Sequence, residues 1–116
     1  MKITLLGCGT SVGVPSLGIL GWGKCDPNNP KNRRQRSSVL IQDNGYNILI
    51  DAGPDVRNQL LNANVDKIDA VLITHTHSDH ISGLPDLRPF FFAERKNIPI
   101  FGQIDSLNEI NSMFDY

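Results

Sequence analysis

All three histidines of this 116-residue chain lie within the segment THTHSDH, residues 74–80. His75 and His77 are two positions apart, so in an extended segment both imidazoles point to the same side. Imidazole nitrogen and carboxylate oxygen are ligands that zinc accepts. Asp79 and His80 follow where the chain must turn, and they would address a second ion about 3.5–4 Å from the first. Solvated surface histidines are the alternative, but four ligand-type residues after an apolar strand favour a metal site.

Strands must position this segment, and the sequence predicts five of them. Residues 70–73 are continuously apolar, which is typical of a strand buried on both faces. Asn44-Gly45 separates two apolar runs rich in β-branched residues and predicts a hairpin, because both residues tolerate positive φ. The expected strands cover residues 2–6, 38–42, 46–50, 70–73 and 98–101.

Three helices are expected between and after these strands. Pro54 can open the first, and the second covers about residues 84–94. Ser106 and Glu109 have the spacing of a capping box, which predicts the start of a terminal helix. Strands and helices alternate after residue 50, so the fold class is α/β, with a mixed sheet because of the hairpin.

Composition indicates one ordinary globular domain spanning residues 1–116. Hydrophobic residues make up 40% and charged residues 20%, and the net charge of −1 gives no general attraction to nucleic acid or anionic membrane. No secretory signal and no apolar run of transmembrane length is present in the sequence. Cys8 and Cys25 do not form a disulfide framework. We therefore expect a cytoplasmic protein with reduced thiols and no membrane partner.

Two motifs together resemble the metallo-β-lactamase superfamily. One is Asp51-Ala52-Gly53 at the end of an expected strand, and the other is the H-x-H-x-D-H pattern of residues 75–80 after a later strand. The resemblance implies an αβ/βα sandwich of two similar halves, each with a mixed sheet and flanking helices. It also implies a hydrolase in which a water or hydroxide between two metal ions is the nucleophile.

The resemblance also assigns roles to individual residues. His75 and His77 would bind one ion, and Asp79 and His80 the other, with Asp79 as the candidate catalytic residue. The cofactor would be Zn²⁺, two ions in a completed site, with Mn²⁺ as the alternative. Asp51 would orient a ligand by a hydrogen bond, while the plain reading of that residue is a capping aspartate at a strand end.

The N-terminal loop distinguishes branches of the superfamily. Its start, residues 7–15, is similar to the first loop of the transfer-RNA 3′-processing nucleases and of the PhnP-like phosphodiesterases, which open cyclic phosphoribosyl phosphates. Taken without the resemblance, its glycines could simply serve a tight turn. The long insertion over residues 21–38 favours the PhnP-like branch. Some members of that branch bind a structural zinc through several cysteines here, but this insertion has only Cys25, so we do not predict that ion.

Basic residues end the same insertion. Lys31, Arg33, Arg34 and Arg36 place four positive charges within six residues. Arginine can bind phosphate oxygens through two parallel hydrogen bonds, so the three arginines are candidates for gripping a phosphoester. A solvated or ion-paired basic loop is an equal alternative. Nucleic-acid backbone is a less favoured partner, because no aromatic residue beyond Trp22 is interleaved with the cluster.

The resemblance covers only about half of the family domain. The remaining ligands of the family come from its second half, and the 36 residues after His80 contain no histidine. The first hypothesis is a metal-dependent hydrolase, a phosphodiesterase using a metal-activated water on a small phosphodiester. The alternatives are an inactive N-terminal fragment of such an enzyme and a ribonuclease Z-like nuclease. A homodimer or a separate C-terminal half could complete the fold, and a lone half would expose the sheet face meant for its partner.

Overall fold

The computed structural model describes residues 1–115, which form one five-stranded sheet with helices. The strands occur in the sheet in chain order, β1 to β5. The first three pair antiparallel, and β3–β4 and β4–β5 pair parallel. The predicted mixed α/β sheet is confirmed. The strands are β1 Lys2–Gly7, β2 Ser38–Asp43, β3 Tyr46–Ile50, β4 Ala70–Leu72 and β5 Ile100–Phe101.

The predicted hairpin joins β2 and β3. Asp43 pairs with Tyr46, so the turn contains only Asn44 and Gly45. Their φ angles are 49° and 81°, the positive values that a type I′ turn requires and that asparagine and glycine tolerate. This turn fixes the register of the two strands, and with it the faces to which their side chains point.

Four α-helices follow the hairpin: α1 Val56–Ala63, α2 Ser78–Ile81, α3 Arg88–Glu94 and α4 Ile104–Met113. The single helix expected over residues 84–94 is wrong in its first part, where Leu84–Leu87 form a 3₁₀ turn. Pro89 has no amide hydrogen and cannot lie in the middle of a continuous helix. It fits instead in the first turn of a new helix that begins at Arg88. No helix within residues 1–115 is long and apolar enough to cross a membrane.

The capping-box prediction at Ser106 is also wrong. Helix α4 begins at Ile104, with Gln103 in the N-cap position and no side-chain cap. Glu109 does not reach back to the start of the helix, because its carboxylate accepts a hydrogen bond from Thr76 at 2.6 Å. A tertiary contact has replaced the local one that the spacing suggested.

Helices cover one face of the sheet. Leu40, Leu49 and Val71 point to that face and are at most 1% exposed. They form the core with apolar residues of the helices, among them Val56 of α1 and Ile110 of α4. Burial of these side chains stabilises each element by about 1.5–3 kcal/mol per residue, which is more than the propensity of helices this short can supply.

The other face of the sheet is apolar and lies outside this core. Strand register aligns two rows of residues across it, and every member of both rows is hydrophobic. Ile3, Leu5 and Phe101 in these rows are 61%, 69% and 54% exposed. The rows are Ile3–Ile41–Ile48–Ala70 and Leu5–Val39–Ile50–Leu72–Phe101. If this face of the sheet were in contact with water, we would expect polar residues in these rows.

Polar side chains hold the end of the sheet where β3 and β4 begin. The Asp69 carboxylate accepts the Asn47 amide at 2.7 Å and the Lys67 ammonium at 3.0 Å. Burial alone would raise the pKa of Asp69, but these two hydrogen bonds and the charge of Lys67 outweigh it and lower that pKa. The pKa of Lys67 is raised, chiefly by its hydrogen bond to Asp69.

Candidate metal centre

The candidate site lies at the edge of the sheet where the parallel strands β3 and β4 end. Strand β3 leads directly into Asp51, and β4 leads into residues 74–80, which we call the histidine loop. The amide of Asp51 donates to the Leu72 carbonyl at 2.9 Å, which extends the pairing of the two strands beyond their ends. The N-terminal loop leaves β1 and enters β2 at the same edge.

Asp51 is the polar centre of this edge. It is 4% exposed, and its φ of 61° is in the left-handed region, which aspartate tolerates better than most residues. Its carboxylate accepts hydrogen bonds from the amide of Thr74 at 2.8 Å and from the Thr74 hydroxyl at 2.6 Å. The third partner is Nδ1 of His80 at 2.7 Å. Asp51 therefore holds both ends of the histidine loop.

This arrangement orients His80. An ionised carboxylate only accepts hydrogen bonds, so Nδ1 of His80 donates to Asp51, and a neutral ring in this tautomer would keep its lone pair on Nε2. Nε2 lies 3.1 Å from Oδ2 of Asp79. Two ligands of one zinc ion, each at its usual bond length, lie about 3.0–3.5 Å apart. The pair is therefore spaced as two ligands of a single ion would be.

His75 is oriented by Thr74 in a similar way. The Thr74 hydroxyl gives its one hydrogen to Asp51, so at 3.0 Å it can only accept from Nδ1 of His75. A neutral His75 ring in this tautomer would also keep its lone pair on Nε2. The centroids of the His75 and His80 rings are 4.0 Å apart, and those of His75 and His77 are 4.7 Å apart. The structure thus brings the three imidazoles together.

The donor chemistry fits zinc, but the donor set is incomplete. Nitrogen from histidine and oxygen from aspartate are ligands of zinc, which usually takes four. Within residues 1–115, no group of three or more histidine, cysteine or acidic side chains is arranged to hold an ion by itself. A metal site built on these side chains would therefore need further donors to complete it.

Two glycines allow the backbone to approach closely beneath the loop. A Cβ atom at Gly53 would collide with the carbonyl oxygen of Asp79, and one at Gly83 with the carbonyl oxygen of Gly53. The amide of Ala52 donates to the His80 carbonyl at 2.8 Å, and the amide of Gly83 to the Ala52 carbonyl at 2.8 Å. The glycine of the Asp-x-Gly motif is therefore needed because helix α2 packs on it. Sequence reasoning missed Gly83.

Of the three predicted phosphate-binding arginines, Arg36 contacts Asp55. Its amide donates to Oδ2 of Asp55 at 2.9 Å, and its Nε lies 3.1 Å from the same atom without hydrogen-bond geometry. Its carbonyl accepts from the buried Gln59 at 2.9 Å. These contacts fasten the end of the N-terminal loop to α1.

The other two arginines have different neighbours. Arg34 donates to Sγ of Cys8 at 3.0 Å, and the Arg33 guanidinium lies 5.2 Å from the centre of the Trp22 ring. The three arginines of the basic run therefore have three separate contacts, each with a residue distant in the sequence. Phosphate binding by these arginines stays a prediction.

Sequence reasoning also missed the two threonines that alternate with the histidines. Thr74 bonds to Asp51, as described above, and Thr76 bonds to Glu109 of α4. The alternation was visible in the sequence, but the partner of Thr76 is 33 positions away and no local pattern indicates it.

The profile of the family described as a beta-lactamase superfamily domain matches residues 46–116. The chain belongs to this superfamily. The crystal structure of a diphosphatase from the PhnP family superposes with a TM-score of 0.89 at 38% identity, over 98% of this chain and 46% of that one. The predicted fold and the predicted resemblance to the PhnP-like branch are confirmed.

Two curated relatives are also similar. The octanoyltransferase of Porphyromonas gingivalis (strain ATCC BAA-308 / W83) is 40% identical over 117 residues, which cover all of this chain and 23% of the relative. The ribonuclease Z of Nanoarchaeum equitans (strain Kin4-M) is 42% identical over 71 residues, 60% of this chain and 22% of the relative. The chain thus spans about a quarter of the length of these relatives.

Proposed function

We propose that this chain supplies part of the metal site of a metal-dependent phosphodiesterase. The observation that carries the proposal is the series of contacts from Asp51 to His80 and on to Asp79. Buried Asp51 fixes the His80 ring, and the free Nε2 of that ring lies 3.1 Å from the Asp79 carboxylate. A plain capping aspartate needs no imidazole partner, and histidines of a solvated loop need no buried acceptor.

Each residue then has a task. Asp51 holds the proton on Nδ1 of His80 and, through Thr74, on Nδ1 of His75, so both rings present Nε2 as a base. Asp79 is the candidate catalytic residue and shares one ion with His80. Two zinc ions, or manganese ions, when bound there, supply the Lewis acid that activates water and neutralises charge on the phosphoryl oxygens.

The similar proteins favour a phosphate substrate. One is a PhnP-family diphosphatase and another a ribonuclease, and both names describe hydrolysis at phosphorus. The third is an octanoyltransferase, of which this chain covers 23%, as little as the 22% of the ribonuclease Z, so the phosphate substrate rests chiefly on the diphosphatase structure, of which this chain covers 46%. We therefore propose a small phosphodiester as substrate, with Arg34 as the arginine whose contact, a thiol at 3.0 Å, a phosphate could replace.

The apolar outer face of the sheet supports a proposal about the partner of this chain. We propose that it packs against a second sheet supplied by further polypeptide of a longer protein, which also brings the remaining metal ligands. Two wholly apolar rows cross this face, and the chain spans 46% of the PhnP-family diphosphatase. Sheets that pack face to face bury such rows between them. A second copy of this chain is the alternative occupant, and sedimentation at several concentrations would reveal it.

The test is metal stoichiometry combined with turnover of bis(p-nitrophenyl) phosphate. In a protein with a completed site we expect about two zinc ions per chain, and His77→Ala should abolish turnover. Asn62→Ala, on the exposed side of α1, is the control. Full turnover in His77→Ala would exclude the metal mechanism. Much less than one ion per chain, with no turnover, would support the alternative of an inactive half-site. That alternative agrees with the absence, within residues 1–115, of any group of three or more donors arranged around one ion.

A ribonuclease Z-like activity is the second candidate, because of the 42% identity to ribonuclease Z over 71 residues. It predicts cleavage of precursor tRNA carrying a 3′ trailer, in preference to bis(p-nitrophenyl) phosphate. Equal indifference to RNA with and without the trailer would exclude this candidate.

A further inference from the structure

Threonine and histidine alternate at the start of the histidine loop, and the two threonines donate hydrogen bonds to different partners. The hydroxyl of Thr74 donates to buried Asp51 at 2.6 Å. The hydroxyl of Thr76 donates to Oε2 of Glu109, also at 2.6 Å. Because side chains alternate along an extended segment, anchoring the threonines leaves His75 and His77 free to project together on the other side.

His77 depends on this second anchor more than its neighbours do. His80 bonds to Asp51, and His75 bonds to Thr74. Within residues 1–115, His77 makes a ring contact with His75 but no side-chain hydrogen bond of its own. Its direction is therefore set by the backbone on either side, and the nearest fixed point before it is the hydroxyl of Thr76.

Glu109 is a firm anchor although its own side chain is exposed. It precedes Ile110, which is 6% exposed and belongs to the hydrophobic core. A Cβ atom at Gly102, just before α4, would lie in ordinary van der Waals contact with Ile73, at 3.4–3.5 Å. The start of α4 therefore lies close to Ile73, the residue that joins β4 to the histidine loop, and the middle of α4 belongs to the hydrophobic core through Ile110.

We infer that Glu109 is a positioning residue for the histidine loop, acting through Thr76 to hold His77 in the direction in which it binds metal. Glu109 itself touches neither an ion nor a substrate. This role rests on the proposed metal site. It makes α4 part of the site's support, although no residue of α4 stands in either recognised motif.

The decisive variants leave the net charge of the protein unchanged, because removing the charge of Glu109 would weaken cation binding for electrostatic reasons alone. Thr76→Val removes the hydroxyl and keeps the shape, and Thr76→Ser keeps the hydroxyl. Supporting groups of metal ligands typically change metal affinity by about 10–100-fold when removed. We expect Thr76→Val to weaken Zn²⁺ binding, measured by chelator competition, about tenfold, and Thr76→Ser by less than about twofold.

Glu109→Gln retains an oxygen acceptor and should weaken binding less than Glu109→Ala. Glu94→Gln, at the end of α3, removes the same charge without contacting the loop and is the matched control. In the Glu109→Ala background, Thr76→Val should have no further effect. Equal Zn²⁺ affinity of Thr76→Val and Thr76→Ser would overturn the inference, and so would a lower melting temperature with unchanged affinity.

A second measurement separates this inference from the proposed function. If His77→Ala binds Zn²⁺ as tightly as the wild type, the proposed site fails. The anchor is then judged in metal-free protein, by hydrogen exchange of the amides of residues 75–78. We expect faster exchange in Thr76→Val than in Thr76→Ser, whereas equal rates would refute the anchor whether or not metal binds.

Discussion

Two aspartates join strands β3 and β4, one at each end of the parallel pair. Asp69 precedes β4 and accepts the amide of Asn47 at 2.7 Å. Asp51 follows β3 and accepts the amide of Thr74 at 2.8 Å. Each carboxylate also has one basic partner, the half-buried Lys67 for Asp69 and the half-buried His80 for Asp51.

The two aspartates differ in burial, in backbone conformation and in the chemistry of their basic partner. Asp69 makes an ordinary surface pair with Lys67, of the kind that adds little to stability. Asp51 is buried and has a φ of 61°, and such strained conformations concentrate where function requires them. Its partner is an imidazole with a second nitrogen facing another carboxylate. The same device for joining strands is therefore structural at one end and suited to metal chemistry at the other.

The largest effect should come from closing the space beneath the histidine loop. Gly53→Ala places a methyl group against the carbonyl of Asp79, and backbone cannot give way as a flexible side chain can. We expect the free energy of unfolding to fall by about 3 kcal/mol, measured by urea denaturation. At the other end, Gly45→Ala meets no atom within 4 Å and should cost about 1 kcal/mol, from its positive φ alone. Equal losses would mean that the two ends are packed alike.

A smaller effect is expected from the aspartates themselves. Asp51→Asn keeps a residue that tolerates positive φ but replaces one of the two oxygens that serve three donors with an amide nitrogen that cannot accept. We therefore expect the free energy of unfolding to fall by about 2 kcal/mol and the affinity for Zn²⁺ to be about 10–100-fold weaker. Asp69→Asn should cost about 1 kcal/mol and leave Zn²⁺ affinity unchanged. Chelator competition on both variants is the measurement. A similar loss of affinity in Asp69→Asn would contradict the assignment of separate tasks to the two ends.

The smallest effect concerns pH. The pKa of Asp69 is lower in the folded chain, so its contribution to stability is complete above its unfolded pKa, near pH 4, and is lost as pH falls through the lowered value. The pKa of Lys67 is raised, so the contribution of Lys67 to stability depends on pH in the opposite direction. It is complete below pH 10.5 and is lost only as pH rises beyond that value. The difference in unfolding free energy between wild type and Asp69→Asn should be constant from about pH 5 to 9 and shrink below about pH 4. A difference that grew at low pH would show the assigned direction to be wrong.

Sequence patterns predicted the elements whose cause is local. The turn at Asn44-Gly45 and the strands beside it needed only backbone preferences and alternation. The capping box at Ser106 failed because Glu109 had a stronger partner elsewhere. The arginines of the basic run contact Asp55 and Cys8, residues far apart in the chain, and their binding of phosphate stays a prediction. The capping-box prediction failed because of a contact of the same long-range kind.

The sequence by itself determined the types of the candidate ligands, their spacing along one extended segment and the strand before them, because periodicity and residue chemistry are properties of neighbours in the chain. Only the tertiary structure decided that Asp51 meets His80, that Thr76 meets Glu109 and that Gly53 lies against Asp79. These contacts join segments from 26 to 33 residues apart, so they exist only once the sheet has brought its strand ends to one edge. The identity of the candidate ligands is therefore a property of the local sequence, whereas the direction of their side chains is a property of the fold.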